Sequence, residues 1–346
     1  MNLTIASSVA LERSFTGEIA ALTAAFLWAV ATLMFGQIGR QLAPVVLNLV
    51  KGIFAIALIL ITLLLRYQLS NISLTLTPSD TLYLLLSGGI GIGLGDTAYF
   101  AAINALGARR ALLLETLAPP VATLLAWAFL GEQISALSAV GIGLTLLGIL
   151  FVITETSPGT SSEKISPYKI SRHGLGAALI AVICQAAGAV LSRGVLAETS
   201  IDPLLSALLR LLAGMVFMGA LVLIQPSQLG NYGSFERSAS ESKKPFNSDE
   251  PQQKIWQQRW SRSLAALKQP SLLFSVGMAA FFGTYLGIWL QQVSLKYTAA
   301  GIAQALLATS PLFVLPLAAM VGDRITYRAV IGAAIALSGV WILIAG

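Results

Sequence analysis

The sequence predicts an all-α integral membrane protein with ten transmembrane helices, arranged as two inverted repeats of five helices. Three observations lead to this fold class. Of the 346 residues, 56% are hydrophobic and only 10% are charged, whereas about a quarter of the residues in a soluble domain are charged. Apolar segments of membrane-spanning length follow one another almost without pause. The second half of the chain also repeats features of the first half in the same order.

Ten apolar segments are long enough to cross the hydrocarbon core of a bilayer, which takes about 20 residues of helix. In hydrocarbon, backbone N–H and C=O groups must be satisfied within the protein, and these segments lack the alternating pattern of barrel strands. We therefore expect helices. Their predicted positions are 17–37, 44–65, 81–103, 108–130, 135–154, 174–196, 203–225, 271–294, 299–320 and 327–345.

Two longer polar segments organise these helices into units. Residues 155–173 are predicted to link a first five-helix unit, 17–154, to a second unit, 174–346. Residues 226–270 form a polar loop inserted between the second and third helices of the second unit. Its composition predicts that this loop is largely disordered.

One part of that loop, residues 255–268, has the pattern of an amphipathic helix. Trp256, Trp260 and Leu264 fall on one helical stripe, and Arg259 lies off it. Such a helix lies flat at the level of the lipid headgroups. Two roles stay open for it, an interfacial anchor and a regulatory or lipid-sensing element.

An internal repeat supports the division into two halves. Because five is an odd number of helices, the second half must enter the membrane from the opposite side. Inverted repeats place a cavity between the halves near the midplane, which indicates a secondary carrier. A shift of 159 residues aligns Lys51 with Arg210. A shift of 191 residues aligns Pro120 with Pro311, Gly131 with Gly322, Glu132 with Asp323, Gly141 with Gly332 and Gly148 with Gly339.

These repeated residues also carry a resemblance to a known family. Each junction of fourth and fifth helices has a proline, an apolar run and then Gly-Glu or Gly-Asp: Pro120 with Gly131–Glu132, and Pro311 with Gly322–Asp323. With a basic residue in the second helix of each half, the whole chain resembles the EamA-type transporters of the drug/metabolite transporter superfamily. The resemblance implies a ten-helix carrier, often an exporter of amino acids, metabolites or drugs, driven by proton or exchange gradients. Asp323 replaces the commoner Glu, and Lys51 the commoner Arg.

Four charged residues lie clearly inside the predicted spans, where each costs about 2.5–3.5 kcal/mol on insertion scales. They are Lys51, Asp96, Glu115 and Arg210. One interpretation pairs the two basic residues with the two acids as structural salt bridges. In another, a basic residue binds a substrate carboxylate while Asp96 or Glu115 takes up and releases a proton. A third has Glu115, near its helix start, reach the interface by snorkelling.

Polar and aromatic residues of the spans are candidates for lining a solute cavity together with these charges. A mostly apolar pocket with a few polar groups suits a small amphipathic solute. Hydrogen bonding between helices is the alternative use of each of these side chains. The candidates are Trp28, Tyr99, Gln185, Tyr285, Gln291 and Gln304, together with Asn48, Asn104 and Trp289.

Small residues and one acidic residue are expected to have structural roles. The third helix of each half has two glycines spaced four apart, Gly91 with Gly95 and Gly283 with Gly287. This spacing places small residues on one helix face and predicts close contacts between helices. Glu132 follows the fourth helix in a very short turn, so it is expected to cap the N-terminus of the next helix.

The remaining counts exclude other classes of protein. A single cysteine, Cys184, and a single histidine, His173, exclude a disulfide framework, a CxxC centre and a histidine-based metal or triad site. No catalytic residue, metal or cofactor is predicted, and the chain is not expected to be an enzyme. The net charge of +6 comes mainly from loops and requires no nucleic-acid partner.

The predicted function is secondary transport of a small organic metabolite across a cell membrane, either plasma or inner, with export implied by the resemblance. The bilayer and the solute are the expected partners, and the oligomeric state is unassigned. An uncoupled channel or a lipid-handling membrane protein is the alternative. Orientation stays open, because most of the 21 Lys and Arg residues follow odd-numbered helices. The charge rule places that side in the cytoplasm, whereas the resemblance places both termini there.

Overall fold

Helices make up all regular secondary structure in the part of the chain that the computed structural model describes, namely residues 2–38, 41–42, 44–69, 76–106, 108–154, 172–224, 252–320 and 327–345. The all-α membrane fold predicted from the sequence is confirmed. Within these ranges, nine helical stretches are long and apolar enough to cross a membrane: Phe15–Phe35, Val46–Gln68, Pro78–Ile103, Ala136–Ile153, Arg172–Glu198, Pro203–Leu223, Pro270–Tyr297, Ala300–Leu317 and Tyr327–Ile344.

The α-helices are numbered in chain order. They are α1 (Asn2–Ile38), α2 (Pro44–Leu69), α3 (Pro78–Gly88), α4 (Asp96–Leu106), α5 (Ala108–Glu115), α6 (Ala118–Leu130), α7 (Ala136–Ile153), α8 (Arg172–Glu198), α9 (Pro203–Ile224), α10 (Gln252–Ala266), α11 (Pro270–Ala279), α12 (Gly287–Tyr297), α13 (Ala300–Leu307), α14 (Ser310–Met320) and α15 (Tyr327–Ala345). The predicted span 108–130 is divided into α5 and the shorter apolar helix α6, so the count of ten spans stays a prediction.

In each half, one seven-residue π-helical segment interrupts the third apolar span, which is here called the third rod. The first π segment, Gly89–Gly95, joins α3 to α4, and the second, Ala280–Leu286, joins α11 to α12. The two segments are related by the same shift of 191 residues that aligns the sequence repeat. In both halves, the fourth apolar segment is also broken in two, α5 with α6 and α13 with α14. The halves therefore repeat each other in their irregularities as well as in their helices.

The fifth helices of the two halves, α7 and α15, pack against each other through paired glycines. A Cβ atom at Gly141 would lie 3.1 Å from the carbonyl oxygen of Gly339, and one at Gly332 would lie 2.9 Å from that of Gly148. The two contacts are equivalent, because the repeat aligns Gly141 with Gly332 and Gly148 with Gly339. This exchange of equivalent contacts is what a two-fold relation between the halves produces.

The first helix of each half packs on the π segment of the other half. On one side, a Cβ atom at Gly188 in α8 would lie 2.9 Å from the Cα atom of Gly91. On the other, a Cβ atom at Gly283 would lie 2.6 Å from the Cβ atom of Ala31 in α1. The close helix contacts predicted from the glycine spacing are confirmed at these positions. The two halves therefore interlock along their first and third helices.

The helix ends group at two faces of the bundle. At the face where α2 ends and α9 begins, here called the N-terminal face, Arg66 forms an ion pair with Asp202 at 2.7 Å. At the opposite face, Ile38 at the end of α1 packs with Leu272 near the start of α11.

The amphipathic segment predicted at 255–268 is helical, as α10, and this prediction is confirmed. Its last turn leads to Leu267, which packs at the opposite face against the cluster that contains Ile38, Leu42 and Leu47. Most of the remaining loop, residues 225–251, lies outside the described residues, as does the linker 155–171. The anchoring or sensing role of α10 stays a prediction.

Candidate solute cavity

A cavity of about 220 Å³ lies between the two halves. Both halves contribute to its wall, through α1, α2 and the third rod of the first half, and through α8, α9 and the third rod of the second. Its lining side chains are Trp28, Ala31, Thr32, Phe35, Asn48, Lys51, Ile92, Asp96, Gln185, Arg210, Leu211, Met215, Met218, Thr284, Ile288 and Gln291, together with Gly52, Gly214 and Gly283.

Six of the ten predicted site residues line this one cavity: Trp28, Lys51, Asp96, Gln185, Arg210 and Gln291. Asn48 lines it too, as the sequence suggested, and Thr284 is a polar lining residue that the sequence analysis missed. The spans hold many threonines, so the residue type alone carried no signal for Thr284.

The other four predicted site residues lie elsewhere. Tyr99 packs beside Ala102 and Leu106 in a separate cluster, and Glu115 and Gln304 do not line the cavity. Tyr285 is buried, and its hydroxyl forms a 2.8 Å hydrogen bond with the hydroxyl of Thr62. The Tyr285 side chain therefore forms a hydrogen bond between helices, which was the alternative role predicted for it. Trp289 packs next to it, and the side chain of Asn104 lies outside the described residues.

Three charged side chains, Lys51, Asp96 and Arg210, face the same cavity without forming direct ion pairs. Among the described residues, the ion pairs are Arg66–Asp202 and Arg193–Glu132. Asp96 instead interacts with both cations across the cavity. These three side chains therefore form no direct salt bridge among the described residues, and the neutralisation of the cations by Asp96 across the cavity stays a hypothesis.

Lys51 is positioned by the helix pair α1 and α2. Its ammonium nitrogen lies 5.4 Å from the centre of the Phe35 ring, where the negative face of an aromatic ring attracts a cation. Phe35 lines the cavity as well. The ring holds the ammonium group at the cavity wall and leaves its N–H donors available.

Arg210 is almost fully buried, with 2% of its surface exposed. Its Nε and Nη1 atoms have no hydrogen-bond partner in the described part of the chain. Glycines in the third rod make the room for it: a Cβ atom at Gly88 would overlap the Arg210 backbone, and one at Gly91 would lie 3.4 Å from Nη2. The glycine-rich first π segment thus lets α9 bring a guanidinium group into the interior.

Trp28 joins the cavity to the second π segment. Its indole N–H donates a 2.8 Å hydrogen bond to the carbonyl oxygen of Gly283. π-helical turns occur mostly as short irregular pieces at functional sites, and here the indole binds one of their backbone carbonyls. Gln185, which a shift of 157 residues aligns with Trp28, lies beside the first π segment, near Gly95.

A polar network ties the two halves together at the N-terminal face. Arg193 donates from Nε to Glu132 Oε1 at 2.6 Å, and from Nη1 to the carbonyl oxygens of Leu295 and Lys296 at 3.0 and 2.7 Å. Glu132 Oε2 accepts a 2.9 Å bond from the N–H of Ala300. We call these five residues the inter-half network. The Arg193 cation bonds the C-terminal end of α12, and the Glu132 anion bonds the N-terminal end of α13. Each charge is of the sign that stabilises that end of a helix.

The position of Glu132 corrects a prediction. The sequence analysis expected Glu132 to cap the next helix, α7, but Ser135 caps α7 through a 3.0 Å bond from the N–H of Ser138. Glu132 caps α13 in the other half instead. Gly131 directs it there, because it ends α6 in the left-handed conformation at φ 65°, which glycine adopts without strain. The repeat counterpart, Asp323, lies outside the described residues.

Buried polar side chains lie between the cavity and the N-terminal face. Ser206, fully buried one turn before Arg210 on α9, donates a 2.9 Å hydrogen bond to Gln292. Ser87 donates a 2.6 Å bond to the carbonyl oxygen of Gly188 and contacts the hydroxyl of Ser192. These residues were not among the sequence candidates, because a serine in an apolar helix gives no signal of its own.

The amino-acid sequence matches a known family of membrane proteins. The sequence model of the EamA-like transporter family matches residues 15–154 and 253–345. The chain belongs to this family. Members of the EamA-like family are membrane transporters, and this EamA-like chain is a multi-pass helical membrane protein.

The fold of this EamA-like protein has a counterpart of known structure. The chain is similar to a protein whose crystal structure is solved, with 16% identity and a TM-score of 0.66, over 96% of this chain and 95% of that chain. At this level of identity the similarity shows the fold alone. A search of curated proteins finds no match.

Proposed function

We propose that this chain is a secondary carrier that moves a small organic solute across a plasma or inner membrane by alternating access, with export as its direction. One observation carries this proposal: a cavity lies between two repeat-related halves and is lined by charged and polar side chains from both. In inverted-repeat carriers, the halves rock around a site of this kind. The two halves would be residues 17–154 and 174–346, joined by the linker.

The positions of the cavity and of the inter-half network support alternating access. The lining residues of α1 and α2 lie toward the helix ends at the opposite face, as Phe35 and Asn48 do. At the N-terminal face, the ends of both halves are bonded together through Glu132 and Arg193. Opening the cavity to the N-terminal face would require this network to break.

Solute counterflow in proteoliposomes tests the proposed function. Purified protein would be reconstituted with one unlabelled solute inside, and uptake of the same labelled solute would be followed across a panel of amino acids and small metabolites. We expect saturable uptake of one chemical class.

Lys51→Ala should lower this uptake about tenfold or more, the effect of losing one charged hydrogen-bond donor. Arg328→Ala, at an exposed arginine next to Phe151 and away from the cavity, should leave it unchanged. Uptake that rises without saturation would identify a channel instead.

Asp96 is proposed to carry the coupling proton. It is the acid of the cavity, and the charged or titratable groups that interact with it are Lys51, Arg210, Glu115 and Tyr99. With Asp96→Asn, the carboxyl group that takes up and releases the proton is lost, so transport should no longer respond to a pH gradient. The measurement compares initial uptake with and without an imposed gradient, and the ratio should fall to one.

The matched control for this variant is Glu18→Gln. Glu18 is also a buried acid of the first half, but it lies near Thr298 at the N-terminal face and outside the cavity wall. Its amide variant should keep the wild-type gradient ratio. A gradient response that persists in the Asp96 variant would contradict the coupling role.

A further inference from the structure

The charges of the cavity wall do not balance. Its described lining residues include two cations, Lys51 and Arg210, and one acid, Asp96. Glu115 interacts with Asp96 but lies outside the wall. With all three lining groups ionised, the wall therefore has one excess positive charge in a low-dielectric interior, where an uncompensated charge is costly. A solute with one negative charge would bring the site to neutrality. A neutral or zwitterionic solute would leave the excess charge in place, and a cation would add to it.

The geometry of Arg210 points to the chemical group that would bear this negative charge. A guanidinium group presents a rigid fork of N–H donors that matches the two oxygens of a carboxylate. Its Nε and Nη1 atoms are buried and have no partner in the described part of the chain. They lie on different edges of the guanidinium group, so a carboxylate would bind Nη2 together with one of them. Lys51, held at the wall by Phe35, supplies a second positive charge. Its ammonium group, unlike a guanidinium group, can bond an anion from several directions.

The size and the remaining wall of the cavity limit the rest of the solute. A volume of about 220 Å³ corresponds to roughly seven water molecules at about 30 Å³ each. Leu211, Met215, Met218 and Ile288 make much of the wall apolar. Methionine side chains adapt their shape to different apolar groups. A short aliphatic or aromatic body attached to the carboxylate fits such a wall.

From these three features we propose that the cavity binds a small organic monocarboxylate, with its carboxylate at Arg210 and Lys51 and its apolar body against the methionine-lined wall. The proposal rests on the proposed function in one respect, since it names the solute class that the carrier would move. The proposal does not depend on proton coupling, because it concerns only the binding of the solute at equilibrium. Asp96 has a defined effect in it: as the opposing charge, it weakens the binding of an anion.

The test is equilibrium binding of radiolabelled 4-methylpentanoate to purified protein in nanodiscs, measured by scintillation proximity. Unlabelled 4-methylpentanamide and leucine serve as competitors, because they share the carbon skeleton but are neutral and zwitterionic. We expect saturable binding in which unlabelled 4-methylpentanoate competes better than leucine, and leucine better than the amide. Arg210→Gln should weaken binding about 10- to 100-fold, as the loss of a charge-assisted hydrogen bond predicts.

Two further variants separate a binding role from a general loss of structure. Arg66→Gln removes an arginine that is paired with Asp202 at the N-terminal face, and it should leave the dissociation constant unchanged. Asp96→Asn removes the opposing charge and should tighten binding of 4-methylpentanoate several-fold. A variant that binds more tightly than the wild type cannot be explained by misfolding. Absence of saturable binding, equal competition by the amide, or weaker binding in the Asp96 variant would overturn the proposal.

Negative results in the binding and counterflow experiments would reject different proposals. Binding of the carboxylate without counterflow would keep the anion site and reject the carrier. Saturable counterflow of leucine or the amide in preference to the carboxylate would keep the carrier and reject the anion site.

Discussion

Arg193→Gln is expected to open the bundle at the N-terminal face. The substitution removes the ion pair with Glu132 and two bonds to the carbonyl oxygens at the end of α12. Arg193 and Glu132 are only 16% and 15% exposed, so water replaces these bonds poorly. Charge-assisted bonds of this kind contribute about 1.5–3 kcal/mol each. The conformation closed at this face should therefore lose its advantage over the open one.

Cysteine labelling measures this opening. The single native cysteine would be replaced, Cys184→Ser, and a reporter introduced by Ser206→Cys. Ser206 is fully buried between the network and the cavity, so a maleimide should label the reporter slowly in the parent. With Arg193→Gln added, labelling should become about tenfold faster or more, in proportion to the population of the open form.

A second ion pair between the halves provides the control. Arg66 also bonds across the halves at the N-terminal face, to Asp202, but its side chain is 42% exposed. Exposed pairs contribute about 0–1 kcal/mol, so Arg66→Gln should change the labelling rate little. Equal acceleration by both variants would mean that the inter-half network has no special part in closure. Unchanged labelling with Arg193→Gln would reject its role as a gate.

Gly148→Ala is expected to destabilise the bundle strongly. The added Cβ atom would overlap the backbone nitrogen of Ala336 and the carbonyl oxygen of Gly332. Because the atoms that it meets belong to the backbone of α15, no side chain can turn away to relieve the overlap. Overpacking of a core commonly costs about 1–3 kcal/mol, and we expect the upper end of this range or more.

The same helix supplies a matched control, since Gly143 has nothing within 4 Å of its Cβ position. Gly143→Ala should be neutral or stabilise α7 by up to about 1 kcal/mol. Both variants would be heated in detergent, and the fraction of monodisperse protein followed by size-exclusion chromatography. A similar apparent Tm for the two variants would show that the contact between α7 and α15 does not depend on the glycine.

Some site residues could be predicted because the cost of burying a charge is visible in a sequence. Lys51, Asp96 and Arg210 stood out as charges within apolar spans, and all three line the cavity. Glu115 stood out by the same rule but lies elsewhere. The rule identifies side chains that need a reason to be in a membrane, but it does not say which of them face one another.

Helical spacing explains why Tyr285 does not line the cavity. The lining residues Thr284, Ile288 and Gln291 are spaced i, i+4 and i+7, so they lie on one helix face. Tyr285 is one residue, about 100°, away from this face, and its hydroxyl bonds Thr62 instead. The sequence does not say which face of an apolar helix meets the cavity, so neighbouring polar and aromatic residues were equal candidates.

By itself, the sequence determined that this chain is a bundle of membrane helices in two related halves with charges in its interior. Apolar length, low charge and internal repetition are properties of residues that are close together or in a fixed order along the chain. Only the tertiary structure decided which polar residues share the cavity and where Glu132 binds. Glu132 contacts Arg193 and Ala300, which are 61 and 168 residues away. Such contacts follow from how helices rotate and cross, because each helix can present several faces of similar polarity.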